Sequence, residues 1–134
     1  LRPTGVAEYV LDASALLAMA LAEPGADRAS RRGPGGAISA VNFSEVIAKL
    51  LERGASEQTI SDALRHLDLE VIPFDEIQAR AAARLRTTTR GLGLSLADRA
   101  CLALGQVLRA PIVTADRAWA AIGDAIQVEI DVIR

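Results

Sequence analysis

The chain has 134 residues and a formal net charge of -2, with 51% hydrophobic residues. That length and apolar content suit one domain with one packed core and exclude a disordered chain. The acidic balance excludes a protein that grips nucleic acid by bulk positive charge, so any such role needs a local basic surface or a bound metal.

Residues 1–7 precede the first patterned segment and are expected to be in part tag or processed sequence. Residues 9–12, Tyr-Val-Leu-Asp, read as a short strand. Residues 14–21 read as a helix that Glu23-Pro24-Gly25 breaks, and 26–32 as a second short helix. The Gly-Pro-Gly-Gly loop at 33–36 leads into a strand at 37–41. A helix over 43–53 follows, with Phe43, Val46, Ile47, Leu50 and Leu51 at the offsets of a buried face and Gly54 as its stop. Ser56 caps a helix over 56–67, and 70–72 is a third strand. Asp75 caps a long helix to about Thr88, and 95–108 is another helix. Residues 112–114 form a strand, 117–122 a short helix and 126–130 a closing strand. Strands alternating with helices imply an α/β domain, a mainly parallel sheet covered on both faces in a three-layer sandwich. Aromatics are only 3% of the chain, so the core must be built from Ala, Leu, Ile and Val.

Ligands in such folds sit beyond the carboxyl ends of the strands. Four acids fall there. Asp12 ends the first strand, Glu45 lies just past the second, Asp98 sits in the first turn of the 95–108 helix, and Asp116 follows the fourth strand. Taken singly, each has a structural explanation. Asp12 and Asp116 suit helix caps, Ser95 with Asp98 spells a capping box, and Glu45 with Lys49 makes an i,i+4 pair. Taken together, they place four carboxylates on one rim, where they repel one another more strongly as they are buried. A hard divalent cation removes that conflict, and oxygen donors without Cys or His select Mg²⁺ or Mn²⁺. Carboxylate-held Mg²⁺ suits phosphodiester hydrolysis and needs no nucleophilic side chain. Ser14 and Thr114, each two residues from an acid, serve either to orient those carboxylates or as simple caps.

At these residues the chain resembles the PIN domain, and within it the VapC toxins of bacterial toxin–antitoxin pairs. The resemblance runs from Tyr9 to the C-terminus. It is carried by Val10-Leu11-Asp12 with Ser14, by the helix start from Asn42 to Glu45, by Leu94-Ser95-Leu96-Ala97-Asp98-Arg99-Ala100-Cys101-Leu102-Ala103-Leu104, and by Thr114-Ala115-Asp116-Arg117. It implies a five-stranded parallel sheet, Mg²⁺ or Mn²⁺ dependence and endonucleolytic cleavage of structured RNA. It also implies inhibition by a small antitoxin protein and frequent homodimerisation, while the single cysteine fits a reducing, cytoplasmic compartment. Some relatives carry a further acid just after the position of Asp116, where this chain has Arg117, Ala118 and Trp119, so a second metal would find fewer protein ligands.

Arg80, Arg84, Arg86 and Arg90 lie in a stretch from Ile77 to Ala97 that holds no acid. They read either as a solvated helix face or as a phosphate-holding edge that leads to Asp98. Trp119 is expected as a core or interface anchor more than a base-stacking platform, His66 at the surface, and Cys101 as an inert core thiol. One cysteine and one histidine exclude an intramolecular disulfide and a Cys/His zinc site. The longest largely apolar run, 13–22, is too short to span a membrane. Two other functions compete. Loss of one of the four acids would have favoured a non-catalytic PIN-fold binding module, and all four are present. A phosphotransfer protein with Asp12 as nucleophile commonly wants a second acid where Ser14 stands.

Overall fold

Tyr9, Val10 and Leu11 are all buried, and they point alternately into two different cores. A strand buried on both faces needs a layer of helices on each side. In the computed structural model, which describes residues 7–134, that strand is β1 (Tyr9–Leu11), the middle of a five-stranded sheet. Apart from Ala7, the residues expected to be tag or processed sequence lie outside the described residues. The other strands are β2 (Gly36–Ser39), β3 (Glu70–Ile72), β4 (Ile112–Thr114) and β5 (Ile130–Val132). All neighbouring pairs are parallel and the order is β3-β2-β1-β4-β5.

The helices are α1 (Ala13–Leu21), α2 (Ala26–Ser30), α3 (Ala40–Glu52), α4 (Glu57–Arg65), α5 (Glu76–Thr88), α6 (Leu96–Leu108) and α7 (Gly123–Ile126), with a 3₁₀ turn at Arg117–Ala121. On one face, Leu11 and its register partner Val113 pack with Leu16 of α1, Val46 and Leu50 of α3, and Ile60 and Leu64 of α4. On the other, Val10 and its partner Ile112 pack with Leu85 of α5, Leu102 and Leu104 of α6, and Trp119. The three-layer α/β sandwich and the five-stranded parallel sheet are thus as expected, and Trp119 and Cys101 are core residues. The helix α6 lies so close to the sheet that a Cβ on Gly105 would stand 2.5 Å from Ile112 Cδ1. Among the described residues no helix is long and apolar enough to cross a membrane.

Of the boundaries that differ from expectation, two have a plain local cause. The second strand stops at Ser39, not at 41, because Ser39 Oγ accepts the Val41 N–H at 3.2 Å and caps α3 from Ala40 onward. The alternation of Ile126, Val128 and Ile130 imitates a strand, but a turn closes there first. Residues 123–126 are helical, Gln127 takes a left-handed φ of 58°, and Val128 N–H donates to Gly123 O. The strand begins only at Ile130.

The chain adds β2 and β3 on one side of β1, then returns to add β4 and β5 on the other. Connections leaving β1 and β4 therefore diverge, which opens a crevice beyond their carboxyl ends. Asp12 and Asp116 follow those two strands.

Candidate active site

Asp12 caps α1, its Oδ1 accepting the Ala15 N–H at 2.8 Å. Its side chain is buried, and hydroxyls surround it. Ser14 Oγ donates to it at 2.7 Å, and Thr114 Oγ1, from the last residue of β4, donates to Oδ2 at 2.6 Å. The same hydroxyls tie in the next loop: Ser14 Oγ accepts the Ala115 N–H and Thr114 Oγ1 accepts the Asp116 N–H, at 2.9 and 3.0 Å. Ser14 and Thr114 thus brace Asp12 and the β4 exit as one unit. Burial pushes the Asp12 carboxyl above its ordinary range; the bonds from Thr114, Ala15 and Ser14 oppose that rise, and the negative charge of Asp98 adds to it. Among the described residues no cation is a hydrogen-bond partner of Asp12.

Asp98 is half-buried at the start of α6 and forms the capping box the sequence spells. Its N–H donates to Ser95 Oγ and its Oδ2 accepts the Ser95 N–H, both at 3.0 Å. Glu45 lies in the second turn of α3. Among the described residues it makes no ion pair with Lys49; Asn42 Nδ2 donates to its Oε1 at 3.1 Å instead. The same Asn42 nitrogen donates to Ala97 O at 2.9 Å, which fastens α3 to the turn that carries Asp98. Asn42 is buried, and its Oδ1 has no hydrogen-bond partner. Asp116 is exposed and its Oδ1 accepts the Ala118 N–H at 3.0 Å, capping the 3₁₀ turn.

Three of the acids lie within electrostatic reach of one buried group. The thiol of Cys101, fully buried under the rim, is pushed well up by burial and then by the charges of Asp12, Asp98 and Glu45. Asp116 is tied to this rim by its backbone N–H, which donates to Thr114 Oγ1. As they stand, Asp98 and Asp116 are each turned toward a helix-cap amide, and among the described residues no three acids form a ready metal cage. In kind, the donor set fits a hard cation: carboxylates, an orphaned amide oxygen on Asn42, two hydroxyls, and no imidazole or free thiolate.

Cations border this rim. Lys49 and Arg53 line a cleft of about 270 Å³ together with Ser14, and neither has an ion pair among the described residues. The arginines of the 77–97 stretch are divided. Arg80 pairs with Glu76 at 2.8 Å, Arg84 is exposed on the surface, and Arg86 and Arg90 line a separate cleft beside the start of α6. His66 is exposed at the end of α4, away from all of these. Sequence patterning missed Arg99, which is buried in α6 and lines the same cleft as Arg86 and Arg90. The available signal was a charge set inside the apolar run of that helix.

A parallel sheet with helices on both faces and oxygen donors gathered at its switch point defines an acid-rimmed α/β domain. The chain belongs to the PIN-domain family, whose model matches residues 9–125. Among solved structures it is similar to VapBC-5 from Mycobacterium tuberculosis, described as a member of the VapBC family of toxin–antitoxin systems. The two are 28% identical with a TM-score of 0.64, over 93% of this chain and 98% of that one. A toxin–antitoxin complex from Klebsiella pneumoniae matches at 22% identity and TM-score 0.71, over 85% of this chain and 92% of that one. DNA-bound VapBC from Salmonella typhimurium matches at 14% identity and TM-score 0.77, over 96% and 100% of the two chains. The last two likenesses bear on the fold alone. No curated protein sequence matches.

Proposed function

We propose that this chain is a metal-dependent endoribonuclease, the toxin of a VapC-type toxin–antitoxin pair that acts in the cytoplasm on structured RNA of the tRNA or rRNA class. The observation that carries this is Asp12, buried at the switch point, further burdened by the charge of Asp98 and without a cationic partner among the described residues. Asp12, Glu45, Asp98 and Asp116 would hold Mg²⁺ or Mn²⁺. When bound, the ion supplies Lewis acidity and a water of lowered pKa at the scissile phosphate.

The chain's own groups do the positioning. Thr114 and Ser14 fix the Asp12 carboxylate, and Asn42 fixes Glu45 against the turn of Asp98. Lys49 and Arg53 sit where they can hold RNA phosphates beside Ser14. The Cys101 thiol is sealed in the core and His66 stands at the end of α4, so neither serves as a nucleophile or base at this rim. An antitoxin fits the same reading. An apolar groove of about 510 Å³, lined by Phe43, Ile47, Ile60, Leu64 and Val71, offers a bed for the apolar face of a partner helix. From there an antitoxin Arg or Lys would reach the acids in place of the metal.

The test is RNA cleavage by the purified chain with Mg²⁺ or Mn²⁺, with and without chelator. Cleavage that needs metal and stops with EDTA supports the assignment. Undiminished cleavage in excess EDTA, or none with either metal, overturns it.

A further inference from the structure

Arg99 is 9% exposed, yet among the described residues no carboxylate pairs with it. Its Nη1 donates to Ala82 O at 2.9 Å, and its remaining N–H groups have no partner among the described residues. Its unbonded nitrogens are not sealed from solvent, so the guanidinium opens onto the surface without a carboxylate partner among the described residues. The neighbouring acid, Asp98, is turned away to the Ser95 amide and does not supply one.

The guanidinium lines a cleft of about 440 Å³ between the end of α5 and the start of α6. Arg86 and Arg90 stand on its rim, and no acid lines it. Its floor includes Gly91 and Gly93, with left-handed φ values of 87° and 69° and nothing within 4 Å of where a Cβ would stand. The backbone there is open to close approach. Thr89 adds no negative charge, and its hydroxyl is already committed to Leu85 O. Three arginines, one of them sunk and unpaired, make a concave site for a small oxyanion. Arg86 and Arg90 also suit the carbonyl end of α5, which explains their charge but not the burial of Arg99.

We propose that this cleft binds a backbone phosphate of the RNA, flanking the one that is cut, with Arg99 as the sunken anchor and Arg86 and Arg90 as the rim. The ligand chemistry is a phosphate oxyanion taken up by guanidinium forks. This deepens the ribonuclease reading and rests on it for the identity of the strand. Because Arg99 directly follows Asp98, an anchored phosphate would set the register of that strand against the acidic rim.

The test is binding of a labelled single-stranded RNA to the full chain in EDTA, where nothing is cut, across a salt series. The Arg86→Gln/Arg90→Gln double variant is expected to bind at least about tenfold more weakly. Its log–log salt slope should be shallower by about one, as for the loss of one phosphate contact. Arg80→Gln, already ion-paired and outside the cleft, should match wild type. Arg99→Gln should lose RNA affinity while melting close to the wild-type temperature, because Gln keeps an N–H donor for Ala82 O and the cleft loses only its charge. If Arg99 is only a strut to Ala82, its variant instead melts lower and the folded fraction binds RNA normally, which overturns the assignment. Inorganic phosphate separates the two sources of the anion. Phosphate displaced by RNA supports the proposal, whereas phosphate that binds the cleft undisturbed by RNA overturns it. A chain that cuts RNA with metal but keeps the wild-type salt slope in the double variant refutes this inference alone. A chain that cuts nothing but loses slope in that variant refutes the nuclease reading alone.

Discussion

Replacing Thr114 by Val keeps a β-branched side chain in β4 and removes one hydroxyl. That hydroxyl is fully buried, donates to Asp12 at 2.6 Å and accepts the Asp116 N–H at 3.0 Å. A hydrogen bond to a charged group contributes about 1.5–3 kcal/mol, and a stranded buried amide costs about 1 kcal/mol or more. Asp116 stands at the surface, so water recovers part of the second loss. The expected sum is about 2–3 kcal/mol at neutral pH, and Thr-to-Val exchange is not neutral in a core for this reason. In a chain of this size that lowers Tm by roughly 6–10 °C. Urea and thermal melts in chelator, followed by far-UV circular dichroism, measure it, and Thr114→Ser should recover most of the loss. A valine variant that melts within about 1 °C of wild type would refute the claim that Thr114 braces Asp12.

Three other outcomes follow from the same contacts. Asp12→Asn keeps the cap on Ala15 and removes the buried charge, so the metal-free variant should be more stable than wild type at neutral pH, by on the order of 1 kcal/mol. Because the folded protein raises the Asp12 pKa above its ordinary 3.8, the folded state binds that proton more tightly. Wild type should therefore gain on the variant as pH falls through the window between the raised value and 3.8, and urea melts at several pH values would show a gap that fails to close if this is wrong. Gly105→Ala drives a Cβ to 2.5 Å from Ile112 Cδ1 and should cost about 1–3 kcal/mol in denaturant melts, with wild-type stability counting against the close approach of α6 to β4. Added Mn²⁺ should raise the Tm of wild type and not of the Asp12→Asn/Asp98→Asn double variant, since binding to the folded state alone stabilises it; equal shifts would place the metal elsewhere.

The layers were legible because the periods are clean: Val10-Leu11 and Ile112-Val113 are continuous apolar runs, and α3 shows its buried stripe directly. Topology then made the acids meaningful, since only a parallel sheet puts Asp12 and Asp116 on one rim. What was missed turns on local hydrogen bonds that periodicity does not carry. The Ser39 cap shortens β2, and the closure of Val128 onto Gly123 delays β5. Glu45 and Lys49 have ideal spacing for a pair, yet Asn42 holds the carboxylate, a contact set by how α3 meets α6. Arg99 escaped notice because a charge beside Asp98 looks like surface, while its burial comes from the packing of α5 over α6.

Whether the strand-end acids cut RNA is tested most directly by the cleavage rate of Asp98→Asn in saturating Mn²⁺, with the metal-free Tm measured alongside. Asn keeps the size of the side chain and the capacity to cap, so the Tm should stay level or rise slightly. If Asp98 holds the metal, cleavage should fall by at least about 100-fold. A variant that folds normally and still cuts RNA at the wild-type rate would leave Asp98 as a helix cap and contradict the assignment of the acidic rim.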